Sequence, residues 1–170
     1  MTRETAIVLC IPETEALVES WRLRYDSAAA LGVPAHITLL YPFVSPDELP
    51  LADLDAVFAD VEPFDLTFRR TNRFGDQVLF LDPEPDAPMI HLIRRLSERF
   101  GLLPYGGTIP LAEVKPHLTV VDGHPGVMDD VDAEIARGLP IASRVTEAWT
   151  LTSDADGRWT KSRAFAFRGG

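Results

Sequence analysis

A duplicated α+β fold, bilobal about a pseudo-two-fold axis, is the architecture this 170-residue sequence predicts, with two antiparallel sheets lining a central cleft and helices outside. Three observations predict it. An apolar run, a proline, a group of acids and a helical segment follow one another twice, as VLCIPETEALVESWRLRYD and as VLFLDPEPDAPMIHLIRRLSERFG. A histidine and a threonine two apart stand in an apolar run twice, in PAHITLLY and KPHLTVV. Each of these runs leads into a helical segment and then a long hairpin ending in an apolar strand, VLFL or AFAF. A repeat on this scale organises the whole chain. Each unit is short for a core of its own. The expectation is therefore one domain over residues 1–170, with a first lobe over about 1–83, a second over about 78–170, and strands exchanged between them.

The elements follow in order. Residues 4–12, ETAIVLCIP, are short, apolar and closed by proline, which reads as a buried strand. Residues 12–32 read as one helix, with Pro12 at its start, acids in its first turn and Gly32 at its end. HITLLYPF, 36–43, is strand-like and ends at Pro42. Within 45–61, Leu51, Leu54, Val57, Phe58 and Val61 recur at helical spacing. Residues 64–83 form two strands joined near Gly75-Asp76. Residues 86–101 form an amphipathic helix with Gly101 behind it. A loop with two prolines and two glycines, 102–115, leads to the strand HLTVV, 117–121, and a helix over 126–139. Residues 141–167 close the chain as strands around the turn Asp154-Ala155-Asp156-Gly157.

Composition bounds the function. Apolar residues make up 46% and charged residues 25%, ordinary for a globular protein. No apolar run approaches the roughly 18 residues of a membrane span, and the N-terminus lacks a cleavable signal pattern. The one cysteine, Cys10, can form no internal disulfide. It reads as a small core residue in a cytoplasmic protein. The net charge of −10 opposes a long nucleic-acid footprint, which normally needs a basic surface. A local pocket for one phosphate is compatible with it. No membrane partner is expected, and the protein should be a monomer.

The His-x-Thr pairs carry the chemistry. Residues two apart on a strand share a face. His36, Thr38 and Leu40 should therefore lie on one side, with Ile37, Leu39 and Tyr41 on the other, Tyr41 pointing into the core. His117, Thr119 and Val121 should oppose Leu118 and Val120. Two such strands across a cleft supply two imidazoles and two hydroxyls in apolar walls, the general form of a small-molecule site. An imidazole titrates near pH 6.5, so one neutral ring can take a proton while one charged ring gives one. The hydroxyls can hold non-bridging phosphate oxygens. The competing reading is a pair of satisfied core histidines.

Other candidates are weaker. Tyr105, in the glycine-rich loop, could stack on a substrate ring. Lys115 and Arg73 could meet a phosphate. Phe43 could reach the cleft rim, although core packing suits it better. His91 and His124 read as surface residues. No HExxH, CxxC, Walker loop or GxGxxG occurs, so zinc and ATP have no visible support.

With its two motifs, HITLLYPF and HLTV, the chain resembles the 2H phosphoesterases, also called the 2′-5′ RNA ligase or cyclic phosphodiesterase superfamily. That family carries His-x-Thr/Ser between apolar residues once per lobe, and the resemblance covers nearly the whole chain. It implies a metal-independent phosphoesterase, needing no cofactor, that acts on 2′,3′-cyclic phosphates, 2′-5′ RNA linkages or related cyclic phosphoesters. It gives His36 and His117 the roles of acid and base, and Thr38 and Thr119 that of phosphate-holding groups. Several members place a basic residue just after the second motif. This chain has VVDG there, with Asp122. The expected partner is a small nucleotide or an RNA end. The alternatives are a non-catalytic nucleotide- or phosphate-binding module, and 2′-5′ ligation by the reverse reaction.

Overall fold

The computed structural model describes residues 2–169. Along the chain run β1 (Thr5–Cys10), α1 (Glu15–Tyr25), α2 (Ser27–Ala30), β2 (His36–Leu40), α3 (Leu51–Ala59), β3 (Phe64–Phe74), β4 (Val78–Glu84), α4 (Ala87–Phe100), β5 (Leu118–Asp122), α5 (Met128–Ala136), β6 (Ile141–Val145), β7 (Glu147–Ser153) and β8 (Trp159–Ala166). They build two antiparallel four-stranded sheets in the orders β2-β1-β7-β8 and β5-β4-β3-β6. The two orders correspond: in each, a histidine strand sits at the edge beside the apolar strand that opens its repeat. β3 lies in the sheet of β4 and β5, and β7 and β8 lie in the sheet of β1 and β2.

The helices cross between the sheets. α1 packs on β5 and α4 on β2, while α3 covers β8 and α5 covers β3. Each histidine strand is thus backed by the helix of the other repeat, and the two strands also touch each other. Ile37 and Leu39 of β2 share one buried core with Leu118 and Val120 of β5, Val18 of α1 and Leu96 of α4. Among the described residues, no helix is long and apolar enough to cross a membrane.

The single helix expected over 12–32 is corrected to three pieces. Pro12–Thr14 form a 3-10 turn, and α1 stops at Asp26, whose backbone is extended (φ −130°, ψ 106°). The Asp26 carboxylate then accepts the Ala28 N–H at 3.2 Å and caps α2. Asp26 also meets Arg22. Arg22 and Asp26 are almost fully buried, and the Arg22 Nη2 to Asp26 Oδ2 distance is 2.9 Å. The two residues are four apart, so continued helix would keep the ion pair; what the break adds is the Ala28 N–H as a second partner for the carboxylate. After α2, Gly32 has φ +99°, and a Cβ there would lie 2.7 Å from the Trp159 carbonyl oxygen. Only glycine lets α2 approach β8 this closely.

The face assignment of the two motifs also needs correction. Between Ile7 and Val8 the pairing register shifts: Val8 faces Thr38, but Ile7 faces Leu40. The extra residue on β2 makes Leu39 and Leu40 both point to the core and turns Tyr41 back to the histidine side. The second copy repeats this. Phe80 faces Thr119 and Leu79 faces Val121, so Val120 and Val121 are both buried. A bulge at the same place in each repeat is structural support for the duplication.

Candidate active site

β2 carries His36 and Thr38, and β5 carries Thr119 with His117 immediately before it. All four side chains are half-buried. His36 Nδ1 lies 2.8 Å from the Pro34 carbonyl oxygen, and His117 Nδ1 lies 2.7 Å from the Lys115 carbonyl oxygen. A carbonyl only accepts, so each Nδ1 carries the hydrogen and donates it. Nε2 is then the atom free to exchange a proton in each ring. The same i to i−2 geometry in both copies fixes both imidazoles in one orientation relative to their strands.

Burial lowers the His36 pKa to about 4, against the hydrogen bond to Pro34. The charges of Arg22 and His117 contribute to that lowering. Burial also lowers the His117 pKa, with the Lys115 ammonium adding to it and the Lys115 carbonyl opposing it. Around His117 stand Phe74, edge-on at 4.8 Å between ring centroids, and Phe80 at 5.4 Å. These two rings explain the desolvation. Sequence reasoning missed them, although Phe80 alternates with the core residues Leu79 and Leu81 along β4.

Tyr105 does not stand before its own repeat's histidine but reaches the first motif. Its backbone is left-handed (φ 55°, ψ 32°), and its N–H donates to the Tyr41 carbonyl. Burial raises the phenol pKa, while the Thr38 hydroxyl beside it works the other way. Tyr105 and Thr38 therefore meet in one polar spot. Lys115 is committed to Asp82, at 2.9 Å. Asp82 is 2% exposed and also accepts from Arg70 at 3.2 Å and Asn72 at 3.4 Å. Burial pushes the Asp82 carboxyl up, but these donors outweigh it and hold it below the usual range. The ammonium thus sits two residues from His117 with its charge largely answered.

Arg73 pairs with Asp129 at 2.9 Å and Asp132 at 3.2 Å, away from the motifs' own hydrogen bonds. His91 and His124 are exposed, and the His124 ring packs 5.3 Å from Tyr25. Phe43 is buried against Phe100 at 5.1 Å. Cys10 differs from expectation. It is half-buried and pairs with His36 across the sheet, on the histidine face rather than in the main core. Burial pushes its thiol up to about 11, so it stays protonated and unreactive at neutral pH. Among the described residues, no group of three or more His, Cys, Asp or Glu is placed to hold a metal ion.

His36 and Thr38 also form part of the wall of a cavity of about 230 Å³, whose remaining lining is largely aliphatic and aromatic. Two locked imidazoles with free Nε2 atoms, a hydroxyl beside each, and an adjacent apolar cavity can bind a small anion and move two protons around it.

Comparison with known proteins agrees with this geometry. The profile of the 2′-5′ RNA ligase superfamily matches residues 12–157. A Geobacillus kaustophilus protein whose name assigns it to the phosphoesterases is 27% identical over 157 residues, 88% of this chain and 87% of that protein. Crystal structures of Escherichia coli LigT in complex with NADP+ and with 3′-AMP superpose with TM-scores of 0.62 and 0.61 at 18% identity. The first pairing covers 98% of both chains, and the second covers 98% of this chain and 99% of LigT.

Proposed function

This chain belongs to the 2′-5′ RNA ligase superfamily, the 2H phosphoesterases, and we propose that it is a metal-independent phosphoesterase that opens a cyclic phosphodiester by two-histidine acid/base catalysis. The observation that carries this reading is the pair of imidazoles, each locked through Nδ1 to the carbonyl two residues before it. His36, with the pKa near 4, is neutral at working pH and serves as base. Its Nε2 takes a proton from water as the water oxygen bonds to phosphorus. His117 serves as acid: its Nε2–H gives a proton to the ester oxygen as the bond from that oxygen to phosphorus breaks. A monoester leaves, and solvent returns the two rings to their starting protonation.

Thr38 and Thr119 hold the non-bridging oxygens, and Tyr105 supports Thr38. Substrate binding reinforces the division of labour, because a phosphate anion between the rings raises both pKa values. A ribonucleoside 2′,3′-cyclic phosphate is the substrate that kinship puts first. The complex of E. coli LigT with 3′-AMP supports this, since 3′-AMP is what remains when adenosine 2′,3′-cyclic phosphate opens at the 2′ oxygen. By microscopic reversibility the same groups, run backward on two RNA ends, form a 2′-5′ bond. The acidic chain favours the hydrolytic direction on small substrates.

The test is ³¹P NMR of ribonucleoside 2′,3′-cyclic phosphates incubated with the protein in EDTA. The expected result is conversion to a single monoester isomer at the rate seen without EDTA. No conversion of these or of any other five-membered cyclic phosphodiester, or conversion that EDTA abolishes, contradicts the proposal.

A further inference from the structure

We propose that the cavity beside His36 is a specificity pocket for an uncharged, apolar substituent of the phosphoester, so that esters of hydrocarbon or aryl alcohols are better substrates than nucleotides. The inference rests on the reading of the two histidines as a phosphoesterase centre. The cavity holds about 230 Å³ and shares the His36 and Thr38 side chains with that centre, so a substituent on the bound phosphate enters it directly. Its other walls include Val8, Ala28, Leu31, Val33, Leu151 and Trp159. Tyr41, turned toward the cavity by the bulge in β2, meets Trp159 edge-on at 6.0 Å.

No lysine, arginine, aspartate or glutamate among the described residues lines this space. Its polar groups are few. The Tyr41 hydroxyl already donates to Glu4 at 3.0 Å, and His36 and Thr38 serve the phosphate, which leaves the Ser27 hydroxyl and the Trp159 indole N–H. A nucleobase placed here would give up water from its edge donors and acceptors and find almost nothing in return. A phenyl or alkyl group loses nothing and gains the full apolar burial. The net charge of −10 and the acidic residue after the second motif, Asp122, likewise offer no attraction to the further phosphates of an RNA end.

Two readouts test the pocket. The first compares kcat/KM for the cyclic phosphates of 1-phenylethane-1,2-diol, propane-1,2-diol and uridine. The phenyl ester should exceed the methyl ester by about tenfold or more, the factor expected for burying a ring-sized apolar group. It should also exceed the uridine ester. Ala28→Phe fills the cavity and Leu31→Asp puts a charge at its mouth. Each should bring the phenyl-to-methyl ratio to about one. The second readout is calorimetric affinity for phenyl phosphate against methyl phosphate, which needs no turnover. The phenyl compound should bind about tenfold more tightly to the wild type and equally to the variants. Equal affinities, equal kcat/KM values, or a preference for uridine overturn the pocket. A protein that turns over none of the esters yet keeps the phenyl preference in binding loses the hydrolase reading and retains the pocket.

Discussion

His36→Ala and His117→Ala should each lower kcat on a cyclic phosphodiester by about 10²–10⁴-fold while the protein stays folded. Each imidazole moves one of the two protons that the displacement requires, and nothing nearby replaces it. The thiol of Cys10 is held protonated, and Lys115 is tied to Asp82. Loss of the second histidine after the first should cost much less than the product of the two, because the rings act as one device. The structural cost is small. Each ring is half-buried and makes one backbone hydrogen bond, a contribution of about 1 kcal/mol. Circular dichroism melts of the purified variants check this. Collapse of the fold in both variants would instead make the histidines core residues.

Arg22→Met should strongly destabilise the fold, costing about 3–5 kcal/mol, because it leaves the Asp26 carboxylate buried without its cation. Both Nε and Nη2 of Arg22 reach Asp26 Oδ2, at 3.1 and 2.9 Å. Nη1 donates to the Val33 carbonyl at 3.1 Å. Val33 lies three residues before His36, so this one guanidinium joins α1, the cap of α2 and the entry to the first motif. In a chain of this size each kcal/mol moves Tm by about 2–4 °C, and Arg22→Met should melt roughly 6–20 °C lower. Arg22→Met/Asp26→Asn should regain most of the loss, since the amide removes the stranded charge and can still cap α2. A single variant within about 1 kcal/mol of the wild type contradicts this account of the ion pair.

Much of the architecture was legible because the repeat is written in local chemistry. The proline after β1, the glycine after α4 and the Gly75-Asp76 turn mark ends that the structure keeps. The His-x-Thr spacing placed both residues of each pair on one strand face. What the sequence concealed depended on partners distant along the chain. The bulges were readable only in part: Leu39-Leu40 and Val120-Val121 break strict alternation, but a doubled apolar pair also suits a strand buried on both faces. Without the bulge Tyr41 falls in the core, and with it Tyr41 lines the cavity. The burial of the Arg22–Asp26 pair had no signal in the sequence, because nothing local says that this side of α1 is covered. Lys115 looked free because Asp82, its partner, lies 33 residues earlier on β4.

The pH dependence of kcat/KM measures the two imidazoles directly, since it reports the acid and base of the free enzyme. A lowered pKa keeps His36 neutral down to about pH 4. It also obliges His117 to lose its proton below its usual value of about 6.5. The active form, neutral at His36 and charged at His117, lies between these limits. The same shifts make the unfolded state bind more protons, so stability falls as the pH drops from about 6.5 toward 4. Each point therefore needs a check that the protein remains folded. The expected profile is a bell centred on the acid side of pH 6.5, with its rising limb near pH 4 and its falling limb beginning below pH 6.5. A profile that is flat from pH 4 to 8, or that only rises with pH, contradicts the two-histidine mechanism.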